Sequence, residues 1–137
     1  RTITSPDQVQ IYEPVMLSVE GEVTWTLLHA FEYAKDNRLL PDGFDTATAP
    51  ADVAVVGDAA TDDDFTGGGD RIVYDLDLSG TRGPVEVSVE LLFQSLSSPF
   101  VADLARTDTD LVRRFVDMTG GTADPPVVLA TSTVRVW

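Results

Sequence analysis

Residues 85–94 read Val85-Glu86-Val87-Ser88-Val89-Glu90-Leu91-Leu92-Phe93-Gln94, and apolar and polar side chains alternate along almost the whole stretch. Successive side chains of a β-strand point to opposite faces, so a period of two places one set on a core and the other in water. The alternation therefore predicts a strand over Val85–Gln94. The side chains assigned to its core face are Val87, Val89, Leu91 and Phe93.

Further strands are predicted on both sides of this one, from alternation and from the glycine and proline residues between them. In the first, Pro14 places the strand at a sheet edge or at a bulge. A turn of Gly, Thr and Arg residues separates the strand over Arg71–Leu78 from Val85–Gln94, so these two are predicted to form an antiparallel hairpin. The predicted strands are Asp7–Met16, Val23–Tyr33, Asp52–Val56, Arg71–Leu78, Val85–Gln94 and Val127–Val136.

The period changes near residues 99–119, where apolar residues recur at helical spacing. Ser98 is predicted to cap a first helix, with Pro99 at its first position. Thr107 and Asp108 offer a second cap, and Gly120-Gly121 would end the second helix. The fold class expected from these elements is mainly β: an immunoglobulin/fibronectin-like two-sheet sandwich with a short helical excursion. With 137 residues, the chain suits one β-sandwich domain over 1–137.

Composition narrows the classes of partner and cofactor. The chain has 23 acidic and 9 basic residues, a net charge of -14, which repels nucleic acid and anionic lipid. It has no cysteine, which excludes disulfides, thiolate metal sites and Cys-x-x-Cys-His haem attachment within this chain. No apolar run approaches the roughly 20 residues that span a bilayer. Because the chain opens at Arg1, we expect it to be a fragment of a longer protein.

No catalytic residue is predicted. His29 is the only histidine, it lies on the apolar face of its predicted strand, and no Gly-x-Ser-x-Gly elbow is present. We therefore expect His29 to be a packed core residue. Glu86 and Glu90 are four strand residues apart, about 13 Å, too far for the usual glycosidase pair. A sugar-stacking platform remains an alternative to core packing for Tyr12, Trp25, Tyr33, Phe44 and Trp137.

The loop Gly57–Asp70 is the best candidate for a metal site, because calcium prefers several carboxylate and carbonyl oxygens. The helix-loop-helix calcium pattern fits Gly67 at its sixth position but fails at the twelfth, which is Val73. The alternative is a solvated acidic loop, in which the glycines allow a tight positive-φ turn. The candidate ligands are Asp58, Asp62, Asp63, Asp64 and Asp70.

A charged segment, Lys35-Asp36-Asn37-Arg38-Leu39-Leu40-Pro41, precedes that loop. We interpret it as an ion-paired exit from a strand, with Asn37 in a turn. A loop that docks a partner is the alternative.

Four stretches together resemble one protein family. They are Thr4–Glu13, Lys35–Pro41 with Gly43-Phe44-Asp45, Phe65–Asp70 and Glu90–Ser95. In this order they resemble the C-terminal, haem-free region of secreted bacterial multihaem c-type cytochrome family proteins. The resemblance implies that haem c is attached only upstream, that upstream sequence adds strands to the sandwich, and that the setting is periplasmic or extracellular.

The function expected from these observations is that of a non-catalytic module of an exported multihaem cytochrome family protein. It would pack on the haem-bearing domain of the same protein or dock a redox partner in electron transfer, with no cofactor of its own. The alternative is a carbohydrate- or calcium-binding accessory module of an exported enzyme.

Overall fold

The computed structural model describes residues 1–5, 7–120 and 124–137, and the fold is rich in β-strands, as the period-two pattern predicts. Two short helices fall within the predicted excursion near residues 99–119. The strands are β1 (Thr2–Ile3), β2 (Pro14–Leu17), β3 (Val23–Thr24), β4 (Glu32–Asp36), β5 (Val73–Tyr74), β6 (Val85–Phe93) and β7 (Val127–Val136). The helices are α1 (Ser98–Leu104) and α2 (Asp110–Thr119).

The chain divides into two compact units, Arg1–Leu78 (unit 1) and Ser79–Trp137 (unit 2). In unit 1, the antiparallel sheet has the order β3-β2-β4, and β1 pairs with β5 in parallel. Unit 2 has one antiparallel pair, β6-β7, with both helices in the connection. The single sandwich domain over 1–137 stays a prediction.

Of the predicted strand over Asp7–Met16, only Pro14–Met16 belongs to a strand, β2, so its predicted start is wrong. Strand β2 is the central strand of its sheet, so of the two alternatives for Pro14, an edge or a bulge, the edge is wrong. Pro14 opens the strand opposite Asp36, whereas β3 pairs only at Met16 and Leu17. The missing N–H of Pro14 therefore interrupts no pairing with β3. The bulge is confirmed, since the register shifts between Val15 and Met16.

The predicted strand over Val23–Tyr33 is broken by a 3₁₀ turn over Leu27–His29. After this turn, the Phe31 amide donates to the Leu17 carbonyl and leads into β4. His29 is exposed at the turn, so its assignment to the core is wrong. The reason is that Leu27 and Leu28 fit both a strand and a helical period, and here both are exposed.

Two other predicted strands are much shorter in the structure. The segment Asp52–Val56 retains only a bridge between Asp36 and Val56. Of Arg71–Leu78, only Val73–Tyr74 forms a strand, and it pairs with β1. The predicted hairpin is therefore wrong, because each of its strands takes a different partner. The partner of β5 is only two residues long, too short to show a periodic pattern.

Unit 2 follows its predicted elements closely. Strand β6 covers Val85–Phe93 and β7 covers Val127–Val136, the predicted bounds to within one residue. The hydroxyls of Ser97 and Thr109 cap the two helices, one or two residues from the predicted caps. Gly120 follows α2 in the left-handed conformation, with φ 64°, and the predicted contribution of Gly121 lies outside the described residues.

The core assignment of β6 is wrong for three of its four side chains. Val89, Leu91 and Phe93 are 40%, 45% and 54% exposed, and Val87 is half-buried. The fully buried apolar residues are instead Ile3, Phe65 and Val101. The alternation identifies an apolar face, but it does not say what covers that face.

A glycine turn fixes the segment that precedes β5. Gly68 has φ 92°, which confirms the predicted positive-φ turn, and its amide donates to the Leu40 carbonyl at 3.1 Å. A Cβ added at Gly67 would lie 2.6 Å from the carbonyl oxygen and 2.8 Å from the amide nitrogen of Phe44. At Gly69 a Cβ would meet nothing within 4 Å.

We therefore expect Gly67→Ala to lower the free energy of unfolding by about 1–3 kcal/mol, because the backbone of Phe44 must move. The matched Gly69→Ala variant should change it by less than about 0.5 kcal/mol. Urea unfolding followed by circular dichroism measures both. Equal stability of the two variants would contradict the close approach of Gly67 to Phe44.

Candidate functional site

The acidic loop of unit 1 borders an open pocket of about 420 Å³. Both charge signs line this pocket: the carboxylates of Asp58, Asp62 and Asp70 are joined by Lys35 and by Arg1. Such a mixed lining is suited to a cation or to a polar group with both charges, and less suited to an apolar ligand.

Three carboxylates come together beside this pocket. One oxygen from each of Asp62, Asp64 and Asp70 lies within 4.8 Å of the others. The N-terminal ammonium of Arg1 lies 3.2 Å from Asp62 and 4.0 Å from Asp64, and also donates to the Arg71 carbonyl at 3.1 Å. This ammonium lowers the pKa of Asp62 below its ordinary value.

The third member of the cluster, Asp70, is held by a hydrogen bond from Tyr12. Its Oδ2 accepts a hydrogen bond of 2.7 Å from the Tyr12 hydroxyl, and Tyr12 stacks on the buried ring of Phe65 at 6.5 Å. Burial first, and then the Asp70 carboxylate, raise the pKa of Tyr12 above its ordinary range. The other oxygen, Oδ1, is buried and makes no hydrogen bond within the described residues. An oxygen in that position is a free acceptor for a cation.

The structure brings together three of the five predicted metal ligands. Asp58 begins the 3₁₀ turn Asp58–Thr61, and Asp63 is exposed; neither belongs to the group of close carboxylate oxygens. Periodicity and residue spacing carry no signal for Tyr12 or Arg1, because these residues lie 58 and 61 positions from the aspartates that they contact.

Two polar side chains of the charged segment, Asp36 and Asn37, are buried, and Asn37 lines the same pocket as Asp62 and Asp70. Asn37 is 3% exposed; its amide donates to the Ile11 carbonyl at 3.0 Å, and its carbonyl oxygen accepts from the Glu13 amide at 2.9 Å. The side chain therefore takes the place of a strand in binding the Ile11–Glu13 backbone. Asn37 lies outside any turn, so that prediction is wrong.

The predicted ion pair of this segment is confirmed. The Arg38 guanidinium donates from Nε to Asp36 Oδ1 at 2.9 Å and from Nη2 to Oδ2 at 2.6 Å. It also lies over the Tyr33 ring, 5.9 Å from the centroid. Hydrogen bonds from Arg38 lower the pKa of the buried Asp36 carboxyl below its ordinary value. Because Tyr12 and Tyr33 have these ring partners, a sugar platform stays a prediction without added support.

Unit 2 carries a different kind of surface. Directly opposed residues of two strands share a face, so the β6-β7 register assigns ten side chains to one side of the sheet. Only one of the ten is polar, and the most exposed of them reach 54–60% exposure. We call this surface the apolar face: Val85, Val87, Val89, Leu91, Phe93, Val127, Ala130, Ser132, Val134 and Val136.

The opposite side of the same sheet is polar over most of its length, and its apolar pair, Leu92 and Val128, lies beyond the bulge. Arg135 pairs with Glu86 at 2.9 Å, and the hydroxyls of Ser88 and Thr133 are 2.9 Å apart. A sheet that is apolar on one side and polar on the other is built to be covered on one side only. Contiguous exposed apolar surface of this kind marks an interaction site in soluble proteins.

The contribution of the Asp36 carboxyl to the free energy of unfolding should depend on pH. A carboxyl whose pKa is lowered by folding stabilises the fold above its unfolded pKa, near 4, and this contribution is lost as the pH falls through the lower folded value. We expect Asp36→Asn to lower the free energy of unfolding by about 1–3 kcal/mol at pH 7. The difference from the parent should shrink between pH 4 and lower pH. Urea titrations of the parent and Asp36→Asn at pH 7, 4 and 2.5 test this prediction, and the exposed Asp52→Asn is the control. A difference in free energy of unfolding between Asp36→Asn and the parent that stays constant with pH would contradict it.

Comparison of the chain with protein-family models, with curated proteins and with solved structures gave no match. In the residues that the structure describes, no helix is both long and apolar enough to cross a membrane. Two surfaces of the chain bear on its function: the carboxylate cluster of unit 1 and the apolar face of unit 2.

Proposed function

We propose that this chain is a non-catalytic β-sandwich module of an exported multihaem cytochrome family protein, and that its apolar face packs on the haem-bearing domain of that protein. A redox partner docked on the same face is the other form of this role. The observation that carries the proposal is the exposure of the apolar face. The family and the periplasmic or extracellular setting come from the sequence resemblance.

The stability of the sheet supports a covering partner. Two strands by themselves are marginal in water, and a sheet needs further strands or a packed layer on its apolar side. In unit 2, Phe93 and Val134, near opposite ends of the face, are just over half exposed. Burying the exposed half of such a side chain stabilises it by about 1–1.5 kcal/mol, roughly half the value for full burial. A second layer would therefore add more stability than any polar contact on the other side.

The pattern of the face favours another sheet as the covering layer. Its residues recur at period two on both strands, and six of the ten are valines. β-Branched side chains on a pleated surface interdigitate with those of a second sheet about 10 Å away. This arrangement would complete the immunoglobulin/fibronectin-like two-sheet sandwich with strands from the haem-bearing domain.

A matched pair of variants tests this function. Ser132 lies in the middle of the apolar face and Thr131, its neighbour, on the polar side opposite Glu90. Both are exposed, so we expect lysine at either position to leave the fold intact. Isothermal titration with a purified haem-bearing fragment from the resembled family should show binding by the parent and by Thr131→Lys. It should show at least a tenfold weaker affinity for Ser132→Lys, since a charge would be buried.

Absence of binding by the parent would contradict the proposal. So would equal affinities of Ser132→Lys and Thr131→Lys, because the contact would then lie elsewhere.

A calcium-binding accessory module is the second candidate, and one observation favours it. The free, buried Oδ1 of Asp70 lies in a group of three carboxylates whose oxygens are close enough to share one ion. Calcium prefers several carboxylate oxygens as ligands, and this group supplies three.

Calorimetric titration of chelator-treated protein with calcium distinguishes the cluster from its acidic surroundings. We expect heat of binding for the parent, and none for the Asp62→Asn/Asp64→Asn double variant, which removes two of the three ligands. The Asp58→Asn/Asp63→Asn variant removes the same charge from the same loop and should bind as the parent does. No heat in the parent, or the same loss in both variants, would leave an ordinary acidic surface.

A further inference from the structure

We infer that the isolated chain is a homodimer in which a second copy covers the apolar face, the two β6-β7 sheets packing face to face about a two-fold axis. This inference rests on the proposed function, because it takes the apolar face to be a docking surface. It goes further in naming what occupies the face when the haem-bearing domain is absent.

The shape of the face allows self-pairing. In a two-fold interface the same surface is used by both copies, so each contact occurs twice. A sheet with a single chemical character across its surface meets this condition without complementary features. The central pairs of the ladder, Val89–Ser132 and Leu91–Ala130, would lie nearest the axis, and the larger Phe93 would lie at one end.

The size of the face reaches the lower limit for a stable interface. Six of its ten side chains are 40–60% exposed, and Val85 and Val87 are half-buried. Covering the whole face would bury roughly 600 Å² per copy, or about 1,200 Å² in a dimer, at the lower end of the range of stable interfaces. Contacts that form only through crystal packing usually bury less than about 800 Å² of accessible surface in total.

The distribution of charge also favours the dimer. Unit 2 has five arginines and seven carboxylates, a net charge of -2, so -12 of the total of -14 belongs to unit 1. None of the ten residues of the apolar face is charged. Repulsion between two copies therefore comes mainly from unit 1, and salt screens it over about 10 Å at 0.1 M. Dimerisation should strengthen as sodium chloride is raised.

Sedimentation equilibrium of the full chain from 1 to 100 µM tests the inference. We expect a mass near twice the 14.8 kDa of one chain at the upper concentrations, and the same for Thr131→Lys. Ser132→Lys should remain at the mass of a single chain, with at least a tenfold larger dissociation constant. Raising sodium chloride from 0.05 to 0.5 M should increase the dimer fraction of the parent.

A parent that is monomeric at 100 µM, or a dimer unaffected by Ser132→Lys, would overturn the inference. A monomeric parent that still binds the haem-bearing fragment in a manner sensitive to Ser132→Lys would leave the proposed function standing. If neither the parent nor Ser132→Lys bound the haem-bearing fragment, the proposed function would be rejected, whatever the oligomeric state of the chain.

Discussion

The pairing of β6 with β7 is the constraint on which unit 2 depends. Nine register positions in one antiparallel ladder align the period-two patterns of the two strands, so most of their apolar side chains collect on one side, with Leu92 and Val128 on the other. A shift by one residue would mix valines with Glu86, Glu90 and Arg135 on both faces. The side-chain pair between Glu86 and Arg135 and the hydroxyl contact between Ser88 and Thr133 are compatible only with the observed register.

Unit 1 is held together differently. Its regular strands are two to five residues long, and polar side chains take over part of the bonding that longer ladders would provide. Asn37 satisfies the backbone of Ile11 and Glu13, and Lys35 donates to the Ile11 carbonyl at 2.8 Å. Buried polar groups with complete hydrogen bonding specify one arrangement of the chain, because every alternative leaves a donor or acceptor unpaired.

The carboxylate cluster likewise depends on a short strand pair and on side-chain contacts. The parallel β1-β5 pair places Arg1 beside Arg71 and close to Asp62. The Tyr12 hydroxyl donates to Asp70, and the Tyr12 ring stacks on Phe65. Asp62, Asp64 and Asp70 thus come together, whereas Asp58 and Asp63 lie in the same loop outside the group.

Local signals in the sequence predict β6 and β7 to within a residue, the two helices, a bulge as one of two alternatives at Pro14, ion pairing within Lys35–Pro41 and the positive φ of a loop glycine. Each follows from alternation, capping or turn chemistry within a few neighbouring residues. Long-range contacts, in contrast, set the pairing of Val73–Tyr74 with a two-residue strand 71 residues earlier and the exposure of His29. They also select the three of five aspartates that meet, and they leave the face of Phe93 open. These depend on contacts between distant parts of the chain, which periodicity does not encode, and on what covers a face, which no single strand contains.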